Sequence, residues 1–123
     1  MSVKIPKAEI ESQLAQCIGT EKYHRLSPLH GRLVCTDGVK LMAELCGAFW
    51  LIDAIASYRR KEEMQFWTLK VSNNTAVLSM REDSDRPELV HQEIEYTDFP
   101  LDEMKVWVQE SGQFMVAMLP SEY

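Results

Sequence analysis

The sequence predicts a single α+β domain in which N-terminal helices pack on a C-terminal antiparallel sheet of about four to five strands. Three observations predict it. Apolar residues recur at helical spacing through the first sixty or so positions and at strand spacing thereafter, and no alternation of the two marks a doubly wound sheet. The chain has 123 residues, a size suited to one hydrophobic core, and residues 1–123 contain no linker-like segment or internal repeat. Hydrophobic residues make up 46% and charged residues 26%, the balance of an ordered globular protein.

The first helix is expected over residues 7–18. It follows Pro6, carries Ile10, Leu14, Cys17 and Ile18 on one stripe, and ends at Gly19. Residues 20–31 show no period and read as a connector that holds Tyr23, His24, Ser27, Pro28 and His30. A short strand over 32–35 precedes Thr36-Asp37-Gly38, where the Asp37 carboxylate is the expected cap for a helix over 39–45. Gly47 breaks it. Residues 48–58 form a helix that is apolar on nearly all sides, with Asp53 as its ionisable residue.

Beyond the charged run at 59–63 the period falls to two. Residues 65–71 and 76–81 are predicted strands around Asn73-Asn74, a pair suited to the positive φ angles of a tight hairpin. Alternation turns Trp67 inward and leaves Phe66 on the other face with Thr68 and Lys70. A polar loop over 82–87 leads to a third strand over 89–96, and Pro100 interrupts the ladder. Residues 101–109 suit either a helix or a strand. We read a hairpin of strands 105–109 and 113–119 around Glu110-Ser111-Gly112, which puts Trp107 on the face of Lys105 and Gln109, open to a contact surface.

Charge and cysteines narrow the function classes. A net charge of −6 argues against a nucleic-acid partner, since such affinity rests on clustered Lys and Arg. The basic cluster Arg59-Arg60-Lys61 is followed at once by Glu62-Glu63 and reads as a helix C-terminus; it can also hold a small anion. Cys17, Cys35 and Cys46 match neither a disulfide framework nor a metal-ligand spacing, so three reduced thiols are expected. No window approaches the ~20 apolar residues of a membrane span, and the opening Met-Ser-Val-Lys-Ile-Pro-Lys lacks the apolar stretch of a signal peptide; a cytoplasmic location is the expectation.

The chain resembles a family of small uncharacterised bacterial and phage proteins. The resemblance rests on Gly19-Thr20-Glu21-Lys22-Tyr23, Thr36-Asp37-Gly38, the run from Phe49 to Ser57, the run from Glu95 to Leu101, and Leu119-Pro120-Ser121-Glu122-Tyr123. It implies a compact domain from a bacterium or mobile element and implies no reaction. Where that family uses Asp-Gly, this chain has Glu110-Ser111-Gly112-Gln113, which implies a longer hairpin.

Catalytic signatures are missing from the sequence. The five glycines compose neither a P-loop nor a GxGxxG, and His24, His30 and His91 fall in no zinc spacing. Ser27 lacks a nucleophile elbow. No cofactor, metal or catalytic residue is therefore assigned. The candidate ligand or interface residues are Trp50, Asp53, Arg59, Arg60, Trp107, Asp98, Asp102 and Glu103. Asp53 stands out because a carboxylate among apolar neighbours must be paired, hydrogen-bonded, neutralised or turned to a cavity, with Trp50 and Ser57 beside it on the helix.

Three functions follow as expectations. The first is a non-catalytic protein-interaction module, phage- or mobile-element-encoded and aimed at a host protein through Trp107 and the acidic Asp98, Asp102 and Glu103. The second is a homo-oligomeric small-molecule binder that sequesters a nucleotide-type ligand through Arg59, Arg60 and Trp50. The third is a small hydrolase using Asp53 with His24 or His30.

Overall fold

The computed structural model describes residues 6–20, 22–83 and 85–123. Glu21 of the 19–23 segment, Ser84 of the expected polar loop and the opening residues 1–5 lie outside the described residues. The chain is α+β, and its described residues form three α-helices in the first half and a six-stranded sheet completed by the second.

Helix α1 (Lys7–Ala15) starts where the Pro6 carbonyl accepts from the Glu9 and Ile10 amides, and it buries Ile10 and Leu14. It stops earlier than the apolar spacing predicts. The Gln16 and Cys17 amides bond back only three residues, to Gln13 and Leu14, and this tightened last turn takes the chain out of the helix. Ile18 consequently lies off the stripe and is exposed. Strand β1 (Leu33–Cys35) leads into α2 (Asp37–Cys46), where the cap is the Thr36 hydroxyl, which accepts from the Val39 amide, rather than the expected Asp37 carboxylate, which falls inside the helix because the helix begins two residues earlier than its apolar spacing suggests. Gly47, at φ +61, ends α2 in the left-handed region and redirects the chain into α3 (Phe49–Ser57).

Strands β2 (Met64–Ser72) and β3 (Thr75–Arg81) form the expected hairpin. Ser72 pairs with Thr75, and Asn73 and Asn74 between them take φ of 52° and 63°. Strand β4 (Val90–Ile94) pairs with β3, and the segment after it anchors in the core through buried Thr97, Phe99 and Leu101. Residues 103–111 are the strand β5 (Glu103–Ser111), as the burial of Met104, Val106 and Val108 requires. Its hairpin with β6 (Phe114–Met118) is tighter than the departure from the family's Asp-Gly implied: Ser111 pairs with Phe114, so only Gly112 and Gln113 turn the chain, with Gly112 at φ +61.

The sheet order is β1-β6-β5-β2-β3-β4. Two expectations need correction: the strands number six rather than four to five, and the sheet is not wholly antiparallel, because β1 runs parallel to β6 in the register Leu33↔Met115 to Cys35↔Ala117. A three-residue strand buried at every position carries no alternation to read, and its partner lies at the far end of the chain. The free edge of β1 is covered by an antiparallel bridge in which His24 and Cys35 exchange two amide bonds of 2.7 Å.

The main core lies between the helices and one sheet face. Val39, Met42, Leu51, Ile52 and Ile55 meet Trp67, Leu69, Leu78, Val106 and Met115 there. Trp67 points inward as alternation predicts, and its indole N–H donates to buried Gln65 at 2.8 Å. Among the described residues no α-helix covers the other face, where Val34, Val116 and Met118 form a separate cluster with Trp107.

Candidate functional site

The uncovered sheet face is divided by the pairing register into an aromatic half and a polar half. Met118, Trp107, Phe66 and Arg81 lie side by side across β6, β5, β2 and β3, and the next row toward the polar half runs Lys105, Thr68, Ser79 and His91. The Phe66 ring meets Trp107 edge-on at 5.1 Å. Tyr123, delivered by the short 3₁₀ turn Pro120–Glu122, meets the other side of Trp107 at 5.4 Å. Tyr123 is 69% exposed and Phe114 42%, so aromatic surface stands in solvent around a half-buried Trp107.

An antiparallel sheet commonly leaves one face to water, but that face is ordinarily polar. Here half of it is apolar. The charges nearest the aromatic row are cations: Arg81 sits opposite Phe66, and Lys105 precedes Trp107 by two positions on the same face. Among the described residues neither has an ion-pair partner, and the Arg81 guanidinium donates only to the Arg86 carbonyl, at 2.7 Å.

The acidic patch expected beside Trp107 is dispersed. The Asp102 carboxylate is held by the Lys7 ammonium at 2.8 Å, Glu103 lies across from Lys70, and Asp98 is exposed on the 95–102 connection. Lys7 cannot be matched to Asp102 from sequence, because the pair joins opposite ends of the chain. Phe66 and Tyr123 complete the aromatic row without having been singled out. Alternation already placed Phe66 outward; nothing local placed Tyr123.

Asp53 does not carry the burial the sequence suggests. It is half-exposed on α3 and, among the described residues, has no hydrogen-bond partner. Its neighbours Ile52 and Ala54 point away from it around the helix, so an apolar sequence does not enclose it. Trp50 packs edge-on against Phe99 at 6.4 Å. Arg60 is taken by Glu62 in a two-point contact of 2.6 and 3.1 Å, which holds the Glu62 carboxyl below its usual range, while Arg59 donates to the Leu29 carbonyl. The residues grouped for ligand binding are thus separated.

A second polar cluster gathers at the start of α2. The Glu122 carboxylate accepts from the Thr36 hydroxyl at 2.6 Å, the Leu119 amide at 2.9 Å and the Gly38 amide at 3.1 Å. The Thr20 hydroxyl accepts from the Asp37 amide, His24 Nε2 lies 2.7 Å from the Asp37 carboxylate, and the Ser121 hydroxyl donates to the Cys17 carbonyl. A carboxylate at a helix N-terminus satisfies free amides and the helix dipole together. Three of the segments that carry the family resemblance meet here, and the other two meet at Trp50 and Phe99. These contacts are internal and make the cluster a joint of the fold.

Among the described residues no three His, Cys, Asp or Glu side chains are grouped to hold a metal ion, and no helix is long and apolar enough to cross a membrane. A family model matches residues 8–123. The chain belongs to the DUF6876 family, a family of unknown function. No curated protein matches the sequence. The fold of this family member is similar to that in the crystal structure of a protein of unknown function from Enterococcus faecalis, with a TM-score of 0.51 and 15% identity over 83% of this chain and 98% of that one. At that identity the likeness extends to the fold alone.

Proposed function

We propose that this protein is a non-catalytic interaction module of the bacterial cytoplasm, of bacterial or mobile-element origin, that docks a partner protein on its uncovered sheet face. The observation that carries the reading is the row Met118–Trp107–Phe66, flanked by Tyr123 and left bare by all three helices. Trp and Tyr supply large contact area at low entropic cost and dominate the energetics of protein interfaces. The partner is a protein surface that offers an apolar side chain flanked by carboxylates, because Arg81 and Lys105 border the row and carry no counter-charge among the described residues. A second copy of the chain would bring these cations against each other. Against the hydrolase alternative, which pairs Asp53 with His24 or His30, stands the contact of His24 with Asp37 at 2.7 Å.

Photo-crosslinking in the source cells tests this. A photoreactive residue at position 66 or 114 should capture one protein other than itself, a control at Glu44 on α2 should not, and Lys105→Glu should reduce capture at least fivefold without changing the melting temperature. Equal capture from Glu44, capture unaffected by Lys105→Glu, or self-adducts alone would refute the proposal.

A further inference from the structure

We infer that the cleft between the 28–32 turn and residues 59–61 is a binding site for a small phosphorylated ligand, its phosphoryl group held by Arg59, Lys61 and His30. This site does not depend on the sheet-face reading. The cleft encloses about 390 Å³ and is lined by Pro28, Leu29, His30, Arg32, Arg59 and Lys61, with Gly31 at the turn. Three of these residues are cations and none is acidic, in a chain whose net charge is −6. Its local charge is thus opposite to that of the molecule.

The backbone at Arg59 is the second observation. It takes φ +49 just past the end of α3, a left-handed position where glycine is the ordinary occupant and a side chain is strained. Strained positions persist where the side chain has a task. The Arg59 Nε–H donates to the Leu29 carbonyl at 2.9 Å, which lays the guanidinium along the cleft and leaves its terminal N–H groups without partners among the described residues. The Lys61 ammonium has no partner there either. Arg32 is fixed by the Gly112 and Gln113 carbonyls and by Glu110, and acts as a positioned charge at the border.

His30 adds a neutral donor. Its Nδ1 accepts from the Arg32 amide at 3.2 Å, which leaves the proton on Nε2. That Nε2–H is buried and, among the described residues, has no acceptor. The unpartnered His30 donor lines the same cleft as two uncommitted cations, a set that suits an oxyanion with several lone-pair sites better than a monocarboxylate. Pro28 and Leu29 offer an apolar wall, and the cleft has room beside the phosphoryl group for the organic portion of a phosphomonoester.

The test is an NMR titration of the labelled protein at constant ionic strength with inorganic phosphate, adenosine monophosphate and, separately, acetate. Phosphate should shift the His30 ring and Arg59 guanidinium signals saturably, and the nucleotide should bind at least tenfold more tightly. Arg59→Gly, which keeps the left-handed backbone, and Lys61→Gln should each weaken binding at least tenfold, whereas Arg60→Gln should not. Phosphate shifts that fail to saturate, acetate binding of equal strength, or binding indifferent to both variants would overturn the assignment.

Discussion

Replacing Glu122 with alanine should be among the most damaging single changes outside the core, although the side chain is only half-buried. The substitution removes the acceptor for three hydrogen bonds, from the Thr36 hydroxyl and the Gly38 and Leu119 amides. Charge-assisted bonds contribute roughly 1.5–3 kcal/mol each when fully sheltered, and three sharing one half-buried carboxylate contribute about 1 kcal/mol each. The expected loss is therefore about 3 kcal/mol, which for a domain of this size lowers the melting temperature by roughly 12 °C. Differential scanning calorimetry reads it. Removing residues 120–123 should cost at least as much. Melting within about 2 °C of the parent for either variant would show that the carboxylate is replaceable by water and that the argument fails.

A cycle with Gly38 isolates the contact. A Cβ built at Gly38 falls 2.6–2.8 Å from the Glu122 carboxyl group, so Gly38→Ala alone should destabilise by about 1–3 kcal/mol through crowding. With Glu122→Ala in place the crowding is gone, and the same Gly38→Ala change should be neutral or stabilising by up to about 1 kcal/mol, from helix propensity. Simple additivity would contradict the geometry.

Burial pushes the Cys35 thiol up to about 12 and the Cys46 thiol up to about 11, so neither holds much thiolate at pH 8. The folded protein should react slowly with a disulfide reagent, Cys17 first, and take up three equivalents rapidly only in urea; rapid labelling of all three without denaturant would contradict the burial. The Glu62 carboxyl is held below its ordinary value of 4.5, first by the hydrogen bond from Arg60 and against the opposing effect of burial. A depressed folded-state pKa gives stability that is present above the unfolded value and lost as pH falls through the folded one. Glu62→Gln should then cost up to about 1 kcal/mol at pH 7, measured by urea denaturation, and progressively less as the pH is lowered through the acid range. A cost unchanged across that range would show that the pair acts through packing.

Local signals in the sequence proved sufficient for local features. Asn73-Asn74 specified its own turn, and alternation separated Trp67 from Phe66, because each depends on residues a few positions away. What stayed hidden depends on distant partners: the parallel seating of β1 on β6, the reach of Glu122 to the start of α2, and the Lys7–Asp102 pair. The candidate site divides along the same line. Trp107 and Arg59 were legible as an outward aromatic and a helix-end cation, whereas Tyr123 and His30 acquire their settings only when remote segments meet. Asp53 misled because flanking apolar residues in a helix face other directions.

The pairing of β1 with β6 also governs the order in which the protein becomes whole. The early helices can form from local contacts, yet the Thr36 amide at the threshold of α2 waits for the Ala117 carbonyl, which is made much later than the helix it serves. Hydrogen exchange at Thr36 therefore reports on whether the last strand is seated. A weakening substitution at Met115 or Ala117 will loosen residues 33–36 along with its own strand, so damage late in the sequence will surface in its early half as well.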